Sequence, residues 1–323
     1  MSETLSRDLL RSEPPVVLPR LQAQLREVVI GQDAAIDGAL TALLAEGHVL
    51  LEGVPGVAKT LLARALAASL GLRFQRVQFT PDLMPTDLLG TRVYDEGHGG
   101  WEFHPGPLFT EVLLADEVNR TPPKTQAALL EAMAERQVTL DGERRELGEG
   151  FFVIATENPL EFEGTYPLPE AQTDRFLLKV KMGYPSEEAE WQLLNADAHA
   201  PKERLERIAP LLDLAGLQAL RRQVRAVHIE ESVKRYAHQI VLATRRCSSL
   251  RLGASPRAGI MLLSAARATA VLAGRTFVLP DDVKGVAPLV LEHRLVLSPE
   301  AELDGEDLGR VVHRLLDEVP VVR

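Results

Sequence analysis

The stretch Gly53-Val54-Pro55-Gly56-Val57-Ala58-Lys59-Thr60 decides the fold of this 323-residue chain. Its small residues leave backbone N–H groups free to curl around phosphate oxygens, and a lysine and a hydroxyl group follow at once. An apolar run at residues 49–52 precedes the stretch, and a helical pattern occupies residues 59–69. Strand, loop and helix in this order predict a phosphate-binding loop in an α/β fold.

The stretch fits the pattern G-x-x-x-x-G-K-[ST], except that Ala58 stands where the last glycine is usual. Lys59 falls in the first helical turn, where the helix dipole disfavours a cation. A bound anion would resolve that conflict, since helix N-termini favour negative charge. We therefore expect Lys59 to bind phosphate and the Thr60 hydroxyl to bind magnesium. The alternative is a Gly/Pro turn with a solvated lysine.

A second apolar strand, Val112-Leu113-Leu114-Ala115, ends in the carboxylates Asp116 and Glu117. Neighbouring strand residues point to opposite faces, so the two acids can take different roles. We expect Asp116 to hold magnesium and Glu117 to orient and polarise the attacking water. A charged turn after a core strand is the alternative. It is disfavoured because the interval after Lys59 accommodates one further βα unit.

Three more polar residues are candidates for the same site. Asn158 follows the apolar stretch 151–155 and could contact the γ-phosphate or the water, although an asparagine before Pro159 is also typical of a turn. Arg175 could stabilise charge on a transferring phosphoryl group, including from a neighbouring subunit, or form a surface ion pair. Arg257 follows the predicted N-cap Ser255 and is either a phosphate contact or a rim arginine.

Composition is that of a globular protein, with 46% hydrophobic and 25% charged residues. The single cysteine, Cys247, excludes an intramolecular disulfide, a Cys-rich zinc site and an iron–sulfur centre held by this chain alone. The net charge of −10 argues against a broad nucleic-acid-binding surface. Neither a membrane-spanning segment nor a signal peptide is expected, and we predict a cytoplasmic protein.

The rest of the chain divides into recognisable segments. Residues 1–15 are expected to be a flexible lead-in. Residues 16–183 are expected to form an α/β domain with two β-hairpins, near 91–104 and 137–147, and helical periodicity dominates residues 186–323. Thr121 is a predicted N-cap, with Pro122 at the first position of the following helix.

The order of these motifs resembles that of the AAA+ ATPases, and more closely that of the MoxR family. The resemblance covers residues 16–295 and is carried by GVPGVAKT, QFTPDLMPTDLLG, DEVNRTPPKTQAALLEAM, ATENPLEFEGTYPLPEAQTDRF and SPRA. It implies a P-loop core whose parallel strands have the order 5-1-4-3-2, a C-terminal helical lid, and a homo-oligomeric, hexameric ring with nucleotide between subunits.

The resemblance also implies residue roles. Asp116 and Glu117 correspond to the Walker B pair, Asn158 to sensor one, Arg175 to an arginine finger acting in trans, and Arg257 to sensor two. Magnesium would be held by Thr60 and Asp116. The resemblance also implies contacts to ATP or ADP from Asp116, Glu117, Asn158 and Arg257. The other residues expected to contact the nucleotide are Val28, Val29, Gly31, Gln32, Gly53, Val54, Pro55, Gly56, Val57, Ala58, Lys59, Thr60 and Leu61.

The function expected from the resemblance is Mg²⁺-dependent ATP hydrolysis that remodels a client protein. Such a chaperone could assist metal insertion or complex maturation, together with a partner that carries a von Willebrand A domain. The alternatives are a nucleic-acid motor or loader, a nucleotide-switched scaffold without useful turnover, and, as a near relative, a magnesium-chelatase-type motor subunit.

Overall fold

The computed structural model describes residues 14–159, 164–195 and 200–321. Most of the predicted lead-in, residues 1–13, lies outside these ranges. The first helix already begins at Pro14, so α1 spans Pro14–Val28, and α2 follows at Asp33–Leu44. Gly31 separates the two helices with a φ of 75°, a conformation that glycine adopts without strain.

Five strands form the central sheet, namely β1 (Val49–Gly53), β2 (Phe74–Gln78), β5 (Val112–Asp116), β8 (Phe152–Glu157) and β9 (Leu178–Met182). Their order across the sheet is β2-β5-β8-β1-β9. β5 pairs in parallel with β2 and β8, and β8 pairs in parallel with β1. If the five sheet strands are numbered 1 to 5 along the chain, this order is 2-3-4-1-5. Read from the opposite edge, it is the predicted order 5-1-4-3-2.

Burial explains why the middle strands read as continuous apolar runs. All five residues of β5 are buried, as are the first five of β8, which is typical of strands covered on both faces. Helices between the strands are α3 (Lys59–Ser69), α4 (Pro85–Leu89), α5 (Pro123–Glu135) and α6 (Glu170–Thr173). A 3₁₀ turn, Val118–Arg120, follows β5 after the single residue Glu117.

Both predicted hairpins are present. The first pairs β3 (Gly90–Asp95) with β4 (Gly100–Pro105), and the second pairs β6 (Gln137–Leu140) with β7 (Glu143–Glu146). The hairpins contact each other, because Arg92 of the first forms an ion pair with Glu143 of the second. The Arg145 guanidinium also lies 4.0 Å from the centroid of the Phe103 ring. The two hairpins are thus joined side chain to side chain.

The remainder of the chain is mainly helical. It contains α7 (Glu187–Leu194), α8 (Ala200–Glu206), α9 (Leu214–Ala226), α10 (Glu231–Arg246), α11 (Pro256–Leu272), α12 (Pro280–Leu291), α13 (Pro299–Leu303), α14 (Leu308–Glu318) and a 3₁₀ turn, Glu292–Arg294. A short antiparallel ribbon of β10 (Leu250–Leu252) and β11 (Val296–Leu297), which the sequence analysis did not predict, accompanies these helices.

Contacts divide the chain into two compact units. The first comprises the described parts of residues 1–37, 48–175 and 180–217, and the second comprises those of 38–47, 176–179 and 218–323. The predicted boundary near residues 183–186 therefore lies inside the first unit. In the part of the chain that the structure covers, no helix is long and apolar enough to cross a membrane.

The prediction of Thr121 as an N-cap is wrong. The N-cap of α5 is Pro122, and Pro123 is the first helical residue. Two consecutive prolines explain the shift, because a residue that precedes proline is driven out of the α region. Both Thr121 and Pro122 are accordingly extended, with ψ values of 153° and 152°. By contrast, Ser255 caps α11 through its side chain, as predicted, and Ser186 caps α7 in the same way.

The base of the first hairpin provides a stability test. A Cβ atom on Gly106 would lie 2.3 Å from the Leu88 carbonyl oxygen and 2.5 Å from the Gly90 nitrogen, both backbone atoms. We expect Gly106→Ala to lower the free energy of unfolding by about 1–3 kcal/mol, as overpacking does. Thermal unfolding would show a lower midpoint. Gly100→Ala is the matched control, because its Cβ meets no atom within 4 Å; equal midpoints for the two variants would contradict the close approach.

Candidate functional site

The predicted phosphate-binding loop connects β1 to α3 with two left-handed residues. Gly56 has a φ of 88°, and Ala58, the N-cap of α3, has a φ of 69°. This conformation explains why the motif usually has glycine at position 58, where alanine must adopt a backbone that L-residues disfavour. Gly53 is constrained differently, since a Cβ there would lie 2.6 Å from the Met182 carbonyl oxygen.

Lys59 is buried at the start of α3, with 9% of its surface exposed. Its Nζ atom donates to the Gly53 carbonyl oxygen at 2.6 Å and to the Glu157 carbonyl oxygen at 3.2 Å. The ammonium group therefore lies where β1 and β8 end. The N-cap residue of α3, Ala58, makes no side-chain hydrogen bond to the start of the helix. A buried cation beside an uncapped helix start fits an anionic ligand.

The two acids at the end of β5 are tied together by Thr156 of β8, which is fully buried. The Thr156 hydroxyl donates to Asp116 Oδ1 at 2.6 Å and accepts from the Glu117 backbone N–H at 2.8 Å. Glu117 needs this support, because its φ of 59° places a non-glycine residue in the left-handed region. One hydroxyl thus orients both the carboxylate of Asp116 and the backbone of Glu117.

Two residues of β2 contact these carboxylates. Arg76 donates to Asp116 Oδ2 from Nε at 3.0 Å and from Nη2 at 2.7 Å. Gln78 donates to Glu117 Oε2 at 2.6 Å, and Arg120 of the 3₁₀ turn donates to the same oxygen at 3.1 Å. Both acids are therefore engaged by side chains of their own chain.

The sequence analysis did not identify Arg76, Gln78, Arg120 or Thr156. A signal was available for the pair on β2, since a charged and an amide side chain two residues apart lie on one face of a strand. Their partners could not be read from the sequence, because the pairing of Gln78 with Asp116 follows from the parallel register of β2 and β5.

The other predicted residues are distributed as follows. Asn158 is buried directly after β8, and its carbonyl oxygen accepts from the Asn119 side chain at 3.4 Å. Arg175 donates to the Leu130 carbonyl oxygen of α5 at 2.6 Å. Arg257 is exposed in the first turn of α11 and belongs to the second unit.

The segment predicted to surround adenine lies between α1 and α2. Val28 and Val29 are buried, and the Gln32 side chain donates to the Gly183 carbonyl oxygen at 3.0 Å, just beyond the end of β9. A Cβ on Gly31 would lie 2.8 Å from the Ala189 Cβ atom of α7. The segment is therefore held against the chain that follows β9, the edge strand next to β1.

Oxygen donors of the kind that Mg²⁺ prefers are available at Thr60 and Asp116. Within residues 14–159, 164–195 and 200–321, no group of three or more His, Cys, Asp or Glu side chains could hold a metal by itself. Magnesium is commonly held by one or two carboxylates together with substrate phosphates, so a single Asp beside a phosphate-binding loop fits this cation.

Comparison with known proteins agrees with this geometry. Residues 48–178 match the model of the ATPase family associated with various cellular activities (AAA), and residues 242–315 match an AAA lid domain. Chaperone MoxR1 of Mycobacterium tuberculosis is 42% identical over 94% of this chain and 81% of its own length. The chain belongs to the MoxR family of AAA+ ATPases.

Two further similarities cover nearly the whole chain of this MoxR-family protein. The uncharacterized protein YeaC of Bacillus subtilis is 47% identical over 94% of this chain and 95% of its own. A crystal structure of a candidate ATPase from Cytophaga hutchinsonii superposes with a TM-score of 0.87 at 37% identity, covering 99% of both chains.

The Thr156 bridge of this MoxR-family site is testable. Thr156→Val keeps the side-chain shape but leaves one Asp116 oxygen and the Glu117 N–H without their partner, so we expect a loss of about 1–3 kcal/mol in unfolding free energy. The displaced carboxylates should also reduce any ATP hydrolysis about 10- to 100-fold. Thr156→Ser is the matched control, since it keeps the hydroxyl group. Equal hydrolysis rates for the valine and serine variants would show that the hydroxyl does not organise the site.

Proposed function

We propose that this chain hydrolyses ATP with Mg²⁺ in a homo-oligomeric, hexameric ring and uses the energy to remodel a client protein. The observation that carries the proposal is the convergence of buried Lys59 with Asp116 and Glu117. The Glu157 carbonyl oxygen accepts a hydrogen bond from the Lys59 ammonium group. The preceding residue, Thr156, donates a hydrogen bond to the Asp116 carboxylate. A cation for phosphate and two acids for metal and water thus meet at the carboxyl ends of neighbouring strands.

Each residue has a distinct role in this proposal. Lys59 and the loop residues 53–61 contact the phosphates, with the N–H groups of the non-proline residues as donors, and Val28, Val29, Gly31 and Gln32 surround adenine. Thr60 and Asp116 hold Mg²⁺, which when bound neutralises charge on the phosphate oxygens. Glu117 orients the attacking water, and Asn158 contacts the water or the γ-phosphate. Arg257 contacts phosphate as sensor two.

A protein client is supported by the hairpins. Tyr94 and Trp101 form a cross-strand pair with ring centroids 5.5 Å apart, and both are about half exposed or more. Exposed aromatic pairs of this kind are enriched where proteins bind one another. The relative MoxR1 of Mycobacterium tuberculosis is named a chaperone, which also supports a protein client. A partner with a von Willebrand A domain, assistance in metal insertion and a cytoplasmic location stay predictions of the resemblance and of composition.

The alternative of a nucleic-acid motor receives less support from the hairpins. Arg92 contacts the second hairpin and Arg145 contacts the first. Each of these arginines forms an ion pair with Glu143. Arg–Glu pairs offer less positive charge to a phosphate backbone than free arginines do. DNA-stimulated hydrolysis that disappears at raised salt would nevertheless favour that alternative.

Separate substitutions distinguish binding from hydrolysis. Glu117→Gln should keep ATP binding and reduce hydrolysis about 10²- to 10⁴-fold, the usual contribution of a group that activates the nucleophile. Lys59→Ala should lose nucleotide binding, because it removes the cation beside the helix start. Binding of a fluorescent ATP analogue and release of phosphate measure the two steps. Hydrolysis by Glu117→Gln at the wild-type rate would refute the assignment.

The role of Arg175 in a neighbouring site is tested by complementation. If Arg175 acts in trans, Arg175→Ala should lower hydrolysis about 10³-fold or more, as removal of an arginine finger does. Rings co-expressed from Arg175→Ala and Lys59→Ala chains should regain activity, because some interfaces then combine an intact loop with an intact arginine. Each variant alone serves as the control. Mixed rings that stay inactive, or wild-type activity per chain that is independent of protein concentration, would remove the assignment in trans.

A further inference from the structure

Arg76 contacts two groups of the site at once. Its guanidinium binds Asp116 Oδ2 through Nε and Nη2, and Nη2 also donates to Gln78 Oε1 at 2.6 Å. Gln78 and Asp116 end the paired strands β2 and β5 and lie opposite each other in the register, and Arg76 lies two residues before Gln78 on the same face of β2. One side chain therefore links the carboxylate of Asp116 to the amide of Gln78.

The orientation of the Gln78 amide follows from its neighbours. An arginine can only donate hydrogen bonds, so Gln78 must present its oxygen to Arg76. The amide nitrogen then points to the other side, where it donates to Glu117 Oε2 at 2.6 Å. A continuous relay of hydrogen bonds thus runs from Asp116 through Arg76 and Gln78 to Glu117. We call these four residues the β2 relay.

We propose that Arg76 is a positioning residue that couples occupation of Asp116 by a cation to the release of Glu117. The inference rests on the proposed function, since it assumes that Asp116 receives magnesium together with nucleotide. While Arg76 occupies Asp116, the relay holds Gln78 against Glu117 and keeps that carboxylate away from water activation. When Arg76 leaves Asp116, Gln78 loses the donor that fixes its amide.

Burial determines which partner of Asp116 can leave. Thr156 is fully buried and binds Oδ1, whereas the Arg76 side chain is 47% exposed and binds Oδ2. An exposed guanidinium regains water contacts when it moves, and ion pairs of this kind add little stability. Two cations on one carboxylate oxygen repel each other. Arg76 therefore gives way at little cost, while Thr156 keeps Asp116 in place.

Release of Glu117 requires one further change. Arg120 also donates to Glu117 Oε2, at 3.1 Å, so the carboxylate keeps one partner after Gln78 rotates. That partner lies within the same turn as Glu117 and is 42% exposed, which lets it move with the carboxylate. When Arg76 leaves Asp116, Glu117 can therefore lose its contact with Gln78 of the sheet. It keeps its contact with Arg120, which moves with the turn.

The test measures metal affinity without hydrolysis. Binding of Mn²⁺, which takes the same oxygen ligands as Mg²⁺, is followed by electron paramagnetic resonance in the presence of saturating ADP. Arg76→Met keeps the aliphatic stem and removes the competing charge, so we expect Mn²⁺ to bind about two- to fivefold more tightly than to wild type. Arg76→Ala provides a second variant with the same expectation.

A matched control lies at the opposite end of the same strands. Arg73 precedes β2 and forms an ion pair with Glu111 just before β5. Arg73→Ala removes an equal charge there and should leave Mn²⁺ affinity unchanged. If Arg76→Met and Arg73→Ala give the same Mn²⁺ affinity as wild type, Arg76 does not compete for Asp116 and the inference is wrong.

The link to Gln78 is tested by a double-mutant cycle. Gln78→Leu removes one acceptor of Arg76 and should therefore weaken the Arg76–Asp116 contact. In the wild-type background we expect Mn²⁺ to bind about twofold more tightly. In the Arg76→Met background we expect no effect, because the coupling between the two residues is reciprocal. Equal effects in both backgrounds would show that Arg76 and Gln78 act independently and would overturn the relay. A wild-type chain that binds no Mn²⁺–ADP would refute the proposed function instead, which keeps the two failures distinguishable.

Discussion

The position of β8 between β1 and β5 is the constraint on which the rest of the site depends. Because β8 is parallel to both neighbours, its carboxyl end meets the loop after β1 on one side and the acids after β5 on the other. Glu157 offers its carbonyl oxygen to Lys59, and Thr156 offers its hydroxyl to Asp116. Two consecutive residues of one strand thus hold Lys59 and Asp116 at a fixed separation.

Much of this arrangement was predictable because buried parallel strands and glycine-containing loops leave strong local signals. The helix over residues 59–69 and the strand that ends at Asp116 follow from apolar runs and from the polar residues that close them. The strand order is a different case. It came from the resemblance to the MoxR family, since periodicity within a strand does not specify which strand lies beside it.

The features that the sequence analysis missed depend on contacts between distant segments or on competing local rules. Arg76 would pass for a solvated charge on an edge strand, and only the register of β2 and β5 brings it to Asp116. Thr121 has the residue type of an N-cap, but the following proline pair keeps it extended. Glu117 gave no sequence signal for its positive φ, which the Thr156 hydroxyl supports from another strand.

The connections between the sheet strands link the site covalently to the two hairpins. The first hairpin lies on the connection between β2 and β5, and the second on the connection between β5 and β8. These are the strands that carry Gln78, Asp116 and Thr156. The ion pair between Arg92 and Glu143 also joins the two hairpins to each other. The exposed Tyr94–Trp101 pair is therefore attached to the same three strands whose ends surround the nucleotide in the proposed mechanism.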